Sequence, residues 1–102
     1  MELTKDHSIL QILTHLEQRF GKNTFTITDY WDADLCAIGL ADHYGKYLLY
    51  ISTYEKPKGT FYVEVEDTTK TNTAVKSTNT FERITEGELD SVFEQYFINQ
   101  NA

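Results

Sequence analysis

Two carboxylates, Glu64 and Glu66, stand two residues apart. On a strand that spacing puts both on one face, a placement glycosidases use for an acid and a nucleophile. The same spacing arises on any wet strand, and a chain of 102 residues leaves little room for a deep sugar cleft. Metal chemistry has less to work with. His7 and His15 are separated by about 12 Å of helical rise, too far for one zinc, and no histidine pair falls at i, i+4. Asp29, Asp32 and Asp34 look like the start of a calcium loop, but Asp34 occupies the position that needs glycine and Leu40 the one that needs glutamate. That cluster reads as a solvated turn. Cys36 falls in a predicted apolar strand, where cysteine acts as a packing group. Ser52 lacks a nucleophile-elbow setting, and Ser8, Ser77 and Ser91 have no evident base. No glycine follows a strand to open a helix, so no phosphate cradle is present. The chain reads as a non-enzyme with no metal and no cofactor.

What remains is a surface. Tyr62, Glu64 and Glu66, with Tyr50 and Tyr54 from the preceding strand, combine anchor area with negative charge. The turn Asp29-Tyr30-Trp31-Asp32 has the same character. Aromatic side chains are favoured binding hot spots, and acidic neighbours speed encounter with a basic protein. Asp29, Trp31, Asp32, Tyr50, Tyr54, Tyr62, Glu64 and Glu66 are therefore the candidate partner-binding residues. The competing reading has Trp31 folded over the core edge and the tyrosines as ordinary strand residues.

Net charge narrows the partner. Nine basic against sixteen acidic residues give −7, a field that repels a phosphate backbone and anionic lipid head groups and attracts a basic protein. Aromatics are not interleaved with Lys or Arg, as a single-strand-binding surface requires. Nucleic acid and membrane are thus disfavoured, although acidity also serves solubility alone. A single cysteine excludes an internal disulfide. Met1 to His7 carries acids where a signal peptide needs positive charge, and no stretch approaches the roughly 20 apolar residues of a membrane span. The expected location is the cytoplasm.

These residues need elements to position them. Ile9, Ile12, Leu13, Leu16 and Phe20 make one helical stripe, with Thr4 as expected N-cap, Asp6 in the first turn and Gly21 as the stop. Alternation predicts a strand over Thr24–Tyr30, and a second over Asp34–Ala41 that is small and apolar on both faces and hence central. Tyr47–Tyr54 and Thr60–Glu66 follow, joined by turns at Asp42–Gly45 and Lys56–Gly59. The polar stretch Asp67–Thr80 reads as a loop leading to an edge strand near Val75–Phe81. Thr85 and Glu88 form a capping box, with Ile84 and Leu89 as hydrophobic staple, and Leu89, Val92, Phe93, Tyr96 and Phe97 make the closing stripe. The fold class is α+β over a single domain, residues 1–102: an N-terminal helix, a four- to five-stranded antiparallel meander and a C-terminal helix, both helices on one sheet face.

The segments 29–40 (Asp-Tyr-Trp-Asp-Ala-Asp-Leu-Cys-Ala-Ile-Gly-Leu), 48–54 (Leu-Leu-Tyr-Ile-Ser-Thr-Tyr) and 61–66 (Phe-Tyr-Val-Glu-Val-Glu) resemble small bacterial immunity proteins of contact-dependent and other polymorphic toxin systems. The resemblance covers the middle of the chain and transfers no functional residue. It implies a cytosolic inhibitor that binds a cognate toxin domain, often a nuclease, and blocks or displaces its active site. Two other readings stand beside it. A small acidic secretion chaperone would be a stable homodimer, and an enzyme or ligand-binding domain would need a pocket near Glu64 and Glu66.

Overall fold

The structure, a computed structural model, describes residues 5–29, 35–67 and 78–99. Helix α1 spans His7–Phe20 and buries Ile9, Ile12, Leu13 and Leu16, the stripe its 3.6-residue period dictates. Its N-cap position is taken by Asp6, whose side chain makes no capping bond. The expected cap, Thr4, lies outside the described residues. Gly21 follows with φ 105° and ψ 152°, a conformation that suits glycine but is not the left-handed helical stop expected of it. A single 3-10 turn, Lys22–Thr24, then carries the chain into the sheet, so Thr24 belongs to that turn rather than to the first strand.

Five strands follow: β1 (Phe25–Asp29), β2 (Ala37–Asp42), β3 (Tyr47–Ser52), β4 (Thr60–Asp67) and β5 (Thr78–Thr85). Each pairs antiparallel with its chain neighbour in the order β1-β2-β3-β4-β5. Two glycines turn the hairpins where φ must be positive, Gly45 at 70° and Gly59 at 83°. In the second hairpin Thr60 N donates to Pro57 O at 3.0 Å, so proline opens the turn and Lys58 and Gly59 occupy its centre. The meander has a fifth strand beyond the four that alternation makes plain, and that strand runs unbroken into the closing helix.

Both edges of the sheet are irregular. The β1–β2 register slips between Ile27 and Asp29, and the β4–β5 register slips between Phe61 and Val63. Bulges at edge strands bend the exposed backbone and hinder pairing with another sheet. The bulge in β5 also explains a sequence pattern that defeats alternation. Phe81 stands opposite Val63 and Ile84 opposite Phe61, so two apolar residues three apart serve one face.

Thr85 caps the second helix through the expected box: its Oγ1 accepts from Glu88 N, and its own N donates to Glu88 Oε1 at 2.9 Å. Helix α2 covers Glu86–Phe93, and the chain then widens into a π-helical turn at Glu94–Ile98, closed by Asn99 N donating to Glu94 O. The sequence stripe implied one uniform helix through Phe97. The wider turn keeps Phe97 buried and sets the Tyr96 ring 5.0 Å from that of Tyr47 on β3.

Both helices pack on one face. Phe25, Ile38, Leu40, Leu49, Ile51, Phe61, Val63 and Val65 point toward them and join their apolar stripes in one core. Phe93 sits at its centre, with ring centroids 4.8 Å from Phe20, 5.8 Å from Phe25 and 4.7 Å from Phe97. Each such side chain removed from water is worth about 1.5–3 kcal/mol, which is what fixes the helices over this face. Among the described residues no helix is long and apolar enough to cross a membrane.

Candidate functional site

Strand pairing dictates what gathers on the opposite, helix-free face. Inward residues alternate with outward ones, so β3 turns Leu48, Tyr50 and Ser52 outward, and β4 turns Tyr62, Glu64 and Glu66 outward. The register then sets these residues side by side: Tyr50 opposite Glu64, Ser52 opposite Tyr62, Leu48 opposite Glu66. The Tyr50 and Tyr62 rings meet edge to face with centroids 6.0 Å apart, a favoured aromatic arrangement. Tyr62, Glu64 and Glu66 are each half-buried, held by their neighbours yet reachable from solvent.

The same cross-strand row continues on the other side of Tyr50. Gly39 of β2 stands opposite Tyr50, and the Cα of Asp29 stands opposite Gly39. β2 is buried at every position, its outward residues being only Ala37, Gly39 and Ala41. Small residues beside the taller Tyr50 and Leu48 leave the relief of this face to β3 and β4. Four of the sequence candidates, Tyr50, Tyr62, Glu64 and Glu66, are therefore brought together, with the backbone of Asp29 in the same row. Trp31 and Asp32 lie outside the described residues. Tyr54 is separate: β3 ends at Ser52 rather than at Tyr54, and Tyr54 sits in the following turn, 64% exposed, with its N donating to Ser52 Oγ.

Sequence reasoning missed the cations around this cluster. Lys56, from the β3–β4 turn, places its Nζ 5.9 Å from the centre of the Tyr62 ring, within the range of a cation–π contact. The bulged pair Glu82 and Arg83, both exposed, stands across from Tyr62 on β5. The face thus grades from mixed charge near the β3–β4 turn to carboxylates at Glu64 and Glu66. Nothing in the local sequence signals Lys56, because turn and strand meet only through the hairpin geometry.

Elsewhere the polar groups serve the fold. His15 on α1 points Nε2 at both carboxylate oxygens of Asp90 on α2, at 2.7 and 2.9 Å, and Arg19 Nε lies 3.4 Å from the same carboxylate. With Glu86 3.7 Å from His15 Nδ1, these groups tie helix to helix. Asp42, buried at the end of β2, accepts from Lys46 N at 2.6 Å and Tyr47 N at 3.1 Å and so organises the first hairpin. Cys36 corrects the expectation of a strand-buried packing group. It lies in the turn before β2, half-exposed, and its thiol donates to Asp6 Oδ2 at 2.9 Å at the start of α1.

A concavity of about 410 Å³ opens beside that contact, between α1 and the β3–β4 turn, with Ser8, Cys36, Thr53, Lys56 and Lys58 on its walls. A shallower one of about 580 Å³ lies along α1 near His7 and His15. Neither includes Glu64 or Glu66. No group of three or more His, Cys, Asp or Glu among the described residues is placed to hold a metal ion. Comparison of the chain with protein-family models, with curated proteins and with solved structures found no match.

Proposed function

We propose that the chain is a bacterial, cytoplasmic immunity-type protein that binds and neutralises a toxin domain, a basic nuclease being the favoured class. The observation that carries this reading is the cluster of Tyr50, Tyr62, Glu64 and Glu66 on the helix-free face of a chain with net charge −7. Aromatic side chains supply contact area at low entropic cost, and carboxylates beside them steer and orient a basic surface. The action is occlusion, with no bond made or broken by this chain. The resemblance of residues 29–40, 48–54 and 61–66 to immunity proteins points the same way.

The test is co-expression with the toxin encoded next to this gene. The expected outcome is protection of the cells and a one-to-one complex that weakens as salt rises. Absence of both protection and complex sinks the proposal. Sedimentation of the isolated chain at micromolar concentration separates it from the secretion-chaperone alternative, which requires a stable homodimer.

A further inference from the structure

We infer that Tyr50, Tyr62 and Glu64 form a seat for an arginine side chain of the partner, and that Lys56 is an intramolecular cation which that arginine displaces. The inference rests on the neutralising role proposed above and specifies its contact chemistry. Lys56 Nζ already lies 5.9 Å from the Tyr62 ring centre. This shows that the ring's electron-rich face can be approached by a cation, and 5.9 Å is near the outer limit of that attraction. A guanidinium uses such a site better than an ammonium. It is planar, less strongly hydrated, and stacks on a ring while its fork still points at a carboxylate. The carboxylate is in place: Glu64 stands two residues from Tyr62 on the same strand face and directly opposite Tyr50. Tyr50 meets Tyr62 edge to face, which holds the stacking ring upright and makes a second wall. A lysine brought to the same spot would satisfy Glu64 as a point charge but gain less from the ring.

Lys56 then acts as a guard. It offsets part of the ring's attraction in the free protein and must swing away when arginine arrives. Its neighbour Lys58 has the same charge and belongs to the same exposed turn, and so serves as the control for simple electrostatics.

The experiment titrates the isotope-labelled full chain with hexa-arginine and, in parallel, hexa-lysine, at low salt, following backbone and aromatic resonances. The shifts are expected to centre on Tyr50, Tyr62 and Glu64, with hexa-arginine bound at least about threefold tighter than hexa-lysine. Tyr62→Leu keeps the apolar area but removes the ring, and is expected to abolish that preference. Glu64→Gln is expected to weaken both peptides. Lys56→Gln should tighten hexa-arginine about two- to fivefold, the size of one exposed cation–π contact. Lys58→Gln should change it by less than about twofold, because an exposed charge at a distance is screened.

The seat is overturned if the shifts centre instead on Glu86 and Glu88, if both peptides bind equally, or if Lys56→Gln and Lys58→Gln have the same effect. Cell protection is scored separately. Protection that survives Tyr62→Leu combined with Glu64→Gln overturns the seat and leaves the neutralising role standing. Failure of the unaltered chain to protect overturns that role without touching the peptide result.

Discussion

β4 belongs to two environments at once. Phe61, Val63 and Val65 lie buried beneath the helices, while Tyr62, Glu64 and Glu66, interleaved with them, stand half-buried on the helix-free side. The first set is large, apolar and enclosed by α1 and α2, and it holds the sheet and helices together. The second is amphipathic: rings with polar tips and carboxylates on flexible stems, partly supported by neighbours and partly wet. Parity alone thus divides one strand between the core and, under the proposed function, recognition. Changing the first set should cost folding, and changing the second should cost binding.

That division can be broken most severely at the centre of the covered side. Phe93→Ala removes the ring that contacts Phe20, Phe25 and Phe97, and is expected to cost about 3–5 kcal/mol, read from the urea midpoint. A loss under about 2 kcal/mol would mean that the core is centred elsewhere. Asp42 is, among the described residues, the buried residue that carries a charge. Asp42→Ala should cost about 1–3 kcal/mol, because the amides of Lys46 and Tyr47 lose their acceptor, and the amide resonances of residues 43–47 should shift with it. Thr85→Ala opens the capping box where sheet passes into helix, with an expected loss of about 1 kcal/mol visible in thermal melts.

At the small end, Glu64→Gln on the helix-free side should change stability by less than about 0.5 kcal/mol. Its effect belongs to the proposed complex with a toxin domain, where it is expected to raise the dissociation rate and flatten the salt dependence. A large stability loss at Glu64 with no change in binding would erase the contrast between the faces.

The legibility of these features follows from how local their causes are. The stripe of α1 and the box at Thr85 and Glu88 involve residues one turn apart, so spacing reveals them directly. β2, β3 and β4 are likewise plain, because each alternates or is apolar throughout. β5 is harder to bound: the expected strand near Val75–Phe81 stops short of Thr85, where β5 ends, and the part of that expectation on residues 75–77, like most of the loop expected before it, lies outside the described residues. Its bulge makes Phe81 and Ile84 share a face, and an edge strand with one wet side has few other apolar residues to mark it. The π turn at Glu94–Ile98 left no trace in a stripe that reads equally well as uniform helix.

The candidate surface was partly legible for the same reason. Tyr62, Glu64 and Glu66 share a face by period two, whatever lies beside them. That Tyr50 stands opposite Glu64, and that Lys56 reaches the Tyr62 ring, depend on register and turn geometry, which join residues distant along the chain.

The sequence by itself determined the α+β class, the antiparallel meander, the two amphipathic helices and the acidic balance, because periodicity, turn chemistry and charge are local or summed properties. Only the tertiary structure decided which sheet face the helices leave uncovered and which rings and carboxylates meet on it. It also decided that His15 and Arg19 converge on Asp90, and that Cys36 turns to Asp6 rather than into the core. Those outcomes depend on strand register and helix docking. A slip of one residue in a strand's register would exchange that strand's faces and leave the same composition with a different surface.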